Sequence, residues 1–382
     1  MTSVQTVKFG DICREVKLTT KDPIADGYER YIGLEHLDSG SLKIKRWGMI
    51  AEDNPSFTRV FKKGHILFGK RRPYLKKAAI AEFDGICSGD IIVMESEPCN
   101  EFPDLIPFIV QSDKFWDHAV STSSGSLSPR TKFKSLQEYS FELGDKNSTQ
   151  DKVMLLGKCR NVSLKSSELL ESFNRLFRVV SSDLLQVVGQ NSDHSVPEGW
   201  EVKELGEIAE VSRGKFTPRP RNNPIYYGGD IPFIQTGDVG KASLFIEKHE
   251  QTLNEKGLAV SKMFPKGTIF ITIAANIGDV AMSTYDVACT DSVVGIKPKE
   301  DIDGLWLLFY LAQLKPYLDS IATESAQKNI NLATLRPLKI AVPPTQKQKL
   351  IGAELVEISK LFKLIEQKEK SIVKVTNALI EK

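Results

Sequence analysis

Cationic side chains in two short segments are the residues of this sequence best suited to chemistry. Residues 69–77 read Gly-Lys-Arg-Arg-Pro-Tyr-Leu-Lys-Lys, and residues 213–221 read Arg-Gly-Lys-Phe-Thr-Pro-Arg-Pro-Arg. Arg and Lys bind phosphate oxygens and can also donate hydrogen bonds to base edges. We therefore expect both segments to contact a polyanion, with a solvated surface loop as the alternative for either run.

The charge of the chain is balanced overall but uneven locally. The net charge is +2 over 382 residues, yet eleven Lys and Arg face two acids between Lys43 and Lys77. Local basic faces on a nearly neutral protein favour a polyanion bound at defined places. With the amide-rich stretch at 327–331 included, the candidate nucleic-acid contacts are Lys70, Arg71, Arg72, Tyr74, Lys76, Lys77, Arg213, Lys215, Arg219, Arg221, Lys328 and Asn329. Tyr74 and Phe216 are equally suited to packing.

Patterns for catalysis, metals and cofactors are missing from the sequence. No phosphate-binding glycine loop, no Gly-x-Gly-x-x-Gly and no His-x-x-x-His pair occurs. Five widely spaced cysteines without a Cys-x-x-Cys pair predict buried free thiols rather than a disulfide framework. Pro103-Asp104 lacks a following acid-x-Lys arrangement, which argues against a standalone nuclease. We expect no catalytic residue, no metal and no cofactor on this chain.

The sequence repeats itself at an offset close to 200 residues. Phe-Gly-Asp-Ile at 9–12 returns as Leu-Gly-Glu-Ile at 205–208, and Tyr-Ile-Gly-Leu at 31–34 returns as Phe-Ile-Gln-Thr at 233–236. A period this long indicates a duplicated domain rather than a solenoid. Two similar surfaces on one chain predict a ligand that is itself bipartite.

Each copy is expected to be a mixed α/β domain. Short apolar segments separated by Gly, Pro, Asp and Ser predict strands, for example near 65–68 and 91–94 in the first copy and 268–274 in the second. A helix is predicted over 302–321, broken or kinked at Pro316.

A long helical pattern with seven-residue spacing follows each copy. The two patterns predict helices that pair as a coiled coil, with separate amphipathic helices on their own domains as the alternative. The predicted seam and spacer positions are Leu155, Val162, Leu169, Leu176, Ile351, Ile358, Ile365, Ile372 and Leu379.

These observations give a fold class and a domain order. The prediction is an α+β protein: two repeated globular α/β domains separated by two long helices pairing as an antiparallel coiled coil. The predicted segments are a first domain at 1–149, a helical spacer at 150–188, a linker at 189–197, a second domain at 198–345 and a C-terminal helical spacer at 346–382. No apolar run is long enough to span a bilayer and no signal-peptide layout is present, so we expect a cytoplasmic protein.

Several stretches resemble the specificity subunits of Type I restriction–modification systems. They are residues 64–75, residues 226–239, residues 267–271 followed by Asn276-Ile277-Gly278, and residues 335–344 running into the last helix. The resemblance covers essentially the whole chain and the order domain, helix, domain, helix. The chain departs from the family pattern where Thr345-Gln346-Lys347-Gln348 lacks the usual acid, and the first copy has no Pro-Pro.

The resemblance implies a function for each part. Each domain would be a target recognition domain reading one half of a split double-stranded DNA sequence, and the paired helices would fix the distance between the halves. Two modification subunits would carry the S-adenosylmethionine chemistry, and a restriction subunit would join them. An orphan structural or regulatory DNA-binding protein without methyltransferase partners is the alternative from another class.

Overall fold

The computed structural model describes residues 5–190, 195–323 and 329–381. The chain divides into two compact units: the first runs up to Glu168 and resumes at Glu366, and the second is Leu169–Ile365. Each unit holds one sheet-rich repeat and a stretch of both long helices, which is the α+β architecture expected from the sequence. Residues 191–194 of the predicted linker and the candidate contact Lys328 lie outside the described residues.

The first repeat consists of short strands and helices that precede the first long helix. In chain order the elements are β1 (Gln5–Lys8), α1 (Phe9–Ile12), β2 (Cys13–Val16), β3 (Arg30–Ile32), β4 (Gly48–Met49), α2 (Ile50–Asp53), β5 (Arg59–Phe61), β6 (Ile66–Gly69), β7 (Ala78–Ile80), β8 (Gly85–Cys87), β9 (Ile91–Ser96), α3 (Ile106–Gln111), α4 (Asp113–Ser121), α5 (Phe133–Leu136), β10 (Ser140–Leu143) and the long helix α6 (Lys146–Leu185). Single 3-10 turns cover Leu34–His36, Pro73–Leu75 and Pro103–Leu105. Two four-stranded sheets have the orders β2-β9-β6-β7 and β4-β3-β8-β5, and β1 pairs with β10.

The second repeat has the same two-sheet organisation, with one additional strand. Its elements are β11 (Glu201–Glu204), α7 (Leu205–Ile208), β12 (Ala209–Arg213), β13 (Tyr227–Ile234), α8 (Thr236–Lys241), β14 (Phe245–Ile246), β15 (Gln251–Leu253), α9 (Glu255–Ala259), β16 (Met263–Phe264), β17 (Ile269–Thr272), β18 (Val280–Ser283), β19 (Val287–Cys289), β20 (Val293–Pro298), α10 (Gly304–Gln313), α11 (Lys315–Thr323), α12 (Leu332–Leu335), β21 (Lys339–Val342) and the long helix α13 (Thr345–Glu381). A 3-10 turn covers Pro224–Tyr226. The sheets are β12-β20-β17-β18-β14 and β15-β13-β19-β16, with β11 paired to β21.

The core of each repeat reproduces the duplication seen in sequence. The parallel pair β3–β8 matches Ile32 to Cys87, and the parallel pair β13–β19 matches Ile234 to Cys289. One apolar cluster contains Ile32, Phe61, Leu67, Ala79 and Cys87, and its counterpart contains Ile234, Phe264, Phe270, Ala281 and Cys289. The duplicated sequence therefore encodes the same buried layer twice.

One turn shows why the repeated glycines are needed. Gly64 and Gly267 have φ values of 92° and 82°, a region that costs residues with a Cβ but not glycine. In each repeat the preceding lysine N–H donates over 2.8 Å to an Asp side chain, Lys63 to Asp84 and Lys266 to Asp286.

The helix predicted over 302–321 is interrupted as expected. Helix α10 ends at Gln313 and α11 begins at Lys315, so Pro316 lies in the first turn of a new helix. Proline fits there because the first-turn N–H groups have no helical acceptor.

The two long helices begin at defined caps. Asp145 precedes α6, and its Oδ1 accepts hydrogen bonds from the N–H groups of Asn147 (3.1 Å) and Ser148 (3.0 Å). At the start of α13, the buried Gln348 side chain donates to the carbonyl of Pro343 over 2.8 Å and accepts from the N–H of Asp303 over 2.7 Å. These bonds start α6 four residues earlier than predicted and attach α13 to its own repeat.

The long helices pair antiparallel within each unit. In the first unit Ser167 hydrogen-bonds to Glu369, while Leu156 shares a core with Leu379 and Ile380. In the second unit the rings of Phe173 and Phe362 lie 5.8 Å apart, and Leu185 shares a core with Ile351 and Leu355. Residues later on α6 therefore meet residues earlier on α13 in both units.

The buried seam of α6 lies one residue later than the sequence predicted. Leu155, Val162, Leu169 and Leu176 are 44%, 49%, 52% and 60% exposed, whereas Leu156 and Leu170 are 0% and 8% exposed. Adjacent apolar pairs such as Leu155-Leu156 and Leu169-Leu170 offer apolar candidates in both frames, and packing selects the later one. On α13 the predicted positions face inward: Ile351 is buried, and half-buried are Ile358, Ile365, Ile372 and Leu379.

The cysteines are free thiols in mixed surroundings. Cys13, Cys87 and Cys289 are buried, but Cys99 is exposed and Cys159 is half-buried, so burial was predicted wrongly for Cys99. Burial raises the pKa of both the Cys13 and Cys87 thiols to about 12. Within the described residues, no helix has the length and apolar character required to cross a bilayer.

Candidate DNA-binding loops

The first basic segment connects β6 to β7 and is bent by two left-handed residues. Arg72 (φ 53°) and Lys76 (φ 49°) flank the 3-10 turn Pro73–Leu75, whose proline is buried while Tyr74 is exposed. The N–H of Lys70 donates to the carbonyl of Asp90 over 2.9 Å. The segment is thereby held against the turn that joins β8 to β9.

Asp90 gathers arginine side chains at this turn. Arg130 donates from Nε to Asp90 Oδ1 over 2.8 Å, and Arg71 Nη1 lies 3.5 Å from Oδ2. The hydrogen bond from Arg130 lowers the pKa of the Asp90 carboxyl, so this acid remains ionised. The backbone continues the pairing, since Arg71 and Arg130 form an antiparallel bridge.

Two further cations of this segment, Lys76 and Lys77, are already engaged. Lys76 forms an ion pair with Asp113, the first residue of α4. Lys77 donates from Nζ to the carbonyl of Leu34 over 2.7 Å. Both are half-buried, whereas Arg72 is exposed.

The second basic segment follows β12 and converges on an acid in the corresponding turn. Arg221 Nη2 lies 2.5 Å from Asp291 Oδ1, and Arg219 Nη2 lies 3.2 Å from Oδ2. Arg213 donates from Nε to the backbone carbonyl of Asp291. Lys215 is exposed, and its N–H donates to the carbonyl of Cys289 over 3.1 Å. The β19–β20 turn therefore organises three arginines.

Close backbone approach brings the second segment to this turn. A Cβ on Gly214 would lie 2.2 Å from the carbonyl oxygen of Thr290, so only glycine fits without displacing backbone. Phe216, which could have contacted ligand, is 1% exposed and packs against Tyr227 and Phe233. Its role is to fasten the loop.

The two basic segments occupy different places in the repeat sequence but share one place in the fold. Residues 70–77 lie between β6 and β7, whereas residues 213–221 begin at the last residue of β12. The first segment nevertheless bonds to the β8–β9 turn, and the second bonds to the corresponding β19–β20 turn. Asp90, Asp291 and Arg130 were not predicted from the sequence. The available signal was a lone acid between two apolar strands, at residues 88–90 and 290–292.

Two further observations limit the kinds of site that this surface can form. Asn329 is exposed just before the buried Ile330, while Lys328 is not described. Among the described residues, no group of three or more His, Cys, Asp or Glu side chains is arranged to hold a metal ion. Guanidinium groups fixed by carboxylates suit recognition of phosphates and base edges.

Comparison with known proteins agrees with this fold. Residues 197–374 match the family model of the Type I restriction modification DNA specificity domain. The Type I restriction enzyme MjaIX specificity subunit of Methanocaldococcus jannaschii is 31% identical over 192 residues, 49% of this chain and 42% of that protein. The chain thus spans less than half of that relative's length in the match.

Two similarities extend over nearly the whole chain. The MjaVIII specificity subunit of the same organism is 21% identical over 98% of this chain and 92% of its own length. The crystal structure of a Type-I restriction-modification system S subunit from M. genitalium shares the fold, with a TM-score of 0.62 at 13% identity, covering 100% of this chain and 96% of that one. Residues 197–374 are thus similar in sequence to the Type I restriction modification DNA specificity domain, and the whole chain shares the fold of the M. genitalium S subunit.

Proposed function

We propose that this chain is the DNA-recognition subunit of a Type I restriction–modification complex. Each repeat reads one half of a bipartite double-stranded target, and the paired long helices set the spacing between the halves. The chain itself is not catalytic in this proposal. S-adenosylmethionine is bound by the modification subunits, and a restriction subunit completes the complex.

One observation carries the proposal. Each repeat directs a cationic loop to the same turn of the fold, although the loops come from different points of the repeat sequence. Two domains that recognise different half-sites need the same buried framework and different surface loops. Phosphate contacts position such a protein, and fixed guanidinium groups specify bases.

The exposed apolar side chains of the long helices supply a surface for modification subunits. In the first unit, exposed residues of this kind are Met154, Leu155, Val162, Val373 and Val375. In the second unit they are Leu169, Leu176, Val179, Leu350, Leu361 and Leu364. Repeated apolar positions on a helix exterior favour helix packing by a partner. One such face in each unit fits two modification subunits per chain.

A domain exchange tests the proposed function. Residues 1–149 would be replaced by the first domain of another family member, and the hybrid would be expressed with the modification subunits in cells lacking adenine methylation. Mapping of methylated sites should show one altered half-site, an unchanged second half-site and an unchanged spacer. The wild-type chain and the reciprocal exchange of residues 198–345 are the controls.

The result distinguishes modular reading from other arrangements. A change in both half-sites after a single exchange contradicts one repeat for each half. Methylation that is absent with every chain, although the subunits co-purify, contradicts the assignment of DNA recognition to this subunit.

A further inference from the structure

A loop of the first repeat, Ser124–Arg130, is closed at its base like a small hairpin. The N–H of Ser124 donates to the carbonyl of Arg130 over 3.0 Å, and the N–H of Arg130 donates back to Ser124 over 2.9 Å. Mutual bonds of this kind fix the two ends of the loop relative to each other. The five residues between them form a short projection.

The base of this loop is part of the basic surface. The carbonyl of Pro129 accepts a hydrogen bond from the N–H of Arg72 over 2.7 Å, and the N–H of Thr131 donates to the carbonyl of Lys70 over 3.0 Å. The Arg130 side chain is held by Asp90. The projection is therefore attached to the segment proposed to contact DNA.

A leucine stands at the tip of the projection. Leu127 is 89% exposed, more than any other large hydrophobic side chain among the described residues. Its neighbours in the loop are Gly125, Ser126, Ser128 and Pro129. Single exposed leucines are common on protein surfaces, so exposure alone does not indicate a binding site. Here the leucine lies in a closed loop whose base is hydrogen-bonded to the backbone of Arg72 and Lys70.

We propose that Leu127 is an apolar wedge that inserts between base pairs of the half-site read by the first repeat. The inference rests on the proposed DNA-recognition function. DNA-bending proteins insert Leu, Phe, Ile, Met or Pro between base steps from the minor groove while neighbouring cations hold the phosphates. Ser126 and Ser128 add little side-chain bulk beside Leu127, which favours its entry into a groove about 6 Å wide. Leu127 then contributes to specificity because flexible steps such as TA open most readily.

The test uses the complete chain with its modification subunits. A duplex carrying the mapped target is prepared with 2-aminopurine in place of successive adenines of the first half-site, because its fluorescence rises when a base step is unstacked. The methylated adenine itself is left unlabelled, because a methyltransferase flips its target base out of the stack. Wild-type complex should raise the fluorescence at one step. Leu127→Ser should abolish that rise and weaken binding roughly tenfold, as expected for losing one buried leucine contact. Leu127→Phe should retain both the fluorescence rise and the wild-type affinity.

Ile24→Ser is the matched control. Ile24 is an exposed apolar loop residue of the same repeat, but it lies between Asp22 and Asp26 rather than among cations. This variant should leave the fluorescence and the affinity unchanged. It thereby separates the loss of a wedge from the general loss of an exposed hydrophobic side chain.

The other outcomes overturn the inference. A fluorescence rise that persists in Leu127→Ser contradicts the wedge. Weaker binding without unstacking, reproduced by replacing thymine with uracil, means that Leu127 contacts a thymine methyl group instead. A loss of co-purification with the modification subunits makes Leu127 a protein contact. A wild-type complex that binds no target duplex defeats the proposed function itself.

Discussion

Arg130 donates a hydrogen bond from Nε to Oδ1 of Asp90 over 2.8 Å, joining residues 40 positions apart. Asp291 holds Arg219 and Arg221 in the second repeat in the same manner. An acid among cations lowers the attraction for DNA in general, because it removes positive charge from the surface. It also fixes the direction of each guanidinium group. These acids should therefore serve discrimination between sequences more than affinity.

Replacement of Asp90 by Asn should reduce specificity without reducing affinity for unrelated DNA. The variant keeps the size of the side chain but frees Arg71 and Arg130 from their counter-charge. We expect the ratio of specific to non-specific binding to fall roughly tenfold, about the cost of one lost base contact. Binding of target and scrambled duplexes at fixed salt measures this ratio. Asp117→Asn, an exposed acid on α4, is the control, and an unchanged ratio in Asp90→Asn would remove Asp90 from recognition.

Lys76 and Asp113 form an ion pair whose polarity is reversed in the other repeat. Asp113 is the first residue of α4, and its partner Lys76 lies in the β6–β7 connection. Lys315 is the first residue of α11, and its partner Asp279 lies in the β17–β18 connection. The pairing recurs while the charges exchange places. We therefore expect Lys76 to fasten a loop rather than to bind phosphate.

This difference among cations predicts the salt dependence of binding. Replacing Lys70, Arg71 and Arg72 with Ala should flatten the slope of log affinity against log salt by roughly two to three, because each lost phosphate contact removes about 0.9. The double variant Lys76→Ala/Asp113→Ala, which removes a neutral pair, should keep the wild-type slope. Filter binding between about 50 and 200 mM salt measures both. If the double variant flattens the slope by about one, Lys76 is a direct phosphate contact.

Adjacent leucines on α6 should have opposite roles. Leu156→Ala removes a fully buried side chain and should destabilise the chain by about 2–5 kcal/mol. Leu155→Ala removes an exposed one and should change stability by less than about 0.5 kcal/mol. Urea unfolding distinguishes the two. Leu155→Glu should in addition weaken co-purification with modification subunits, and equal unfolding midpoints for both Ala variants would mean that the buried frame is misassigned.

The long helices and the break at Pro316 were predictable because local rules decide them. Heptad spacing produced the two helices, and the proline fixed the start of α11. The frame of the α6 seam was not predictable, since Leu155-Leu156 and Leu169-Leu170 each offer two apolar candidates. Only contact with α13, as in the Phe173–Phe362 pair, selects one of them.

The candidate site was predictable in its cations and not in its acids. Lys70, Arg71 and Arg72 are conspicuous as a run, whereas Asp90 is a single acid in a short turn. The position of Asp90 next to the basic segment depends on strand order, because β8 must pair with β3 and β9 must pair with β6 to bring the turn there. Pairings between residues so far apart in sequence leave no local pattern.

His65 should make stability depend on pH. Burial lowers the pKa of this imidazole below its ordinary value of 6.5, although Glu95 at 3.5 Å opposes the shift. The folded chain then binds a proton less readily than the unfolded chain, so stability falls as the pH drops below about 6.5. His65→Thr introduces the residue found at the matching position, Thr268. In the variant, the difference in bound protons between the unfolded and folded chains should fall by up to roughly one proton below pH 6.5. Identical pH profiles of unfolding would contradict the assignment.

The spacing between half-sites should follow the length of the paired helices. Four residues would be inserted in both helices at the boundaries between the units, after Glu168 and after Ile365. The insertion adds about 6 Å along the helices, at 1.5 Å per residue. It also advances each helix by about 40° beyond a full turn, close to the twist of one DNA base pair.

The recognised spacer should then lengthen by one or two base pairs, since DNA rises about 3.4 Å per base pair. Both half-sites should stay the same, because neither repeat is altered. Insertion of one residue at the same points is the control: it turns the apolar stripe by about 100° and should abolish methylation by breaking the seam. Mapping of methylated sites decides the matter. Full methylation with the original spacer in the four-residue variant would show that something other than these helices measures the distance between the half-sites.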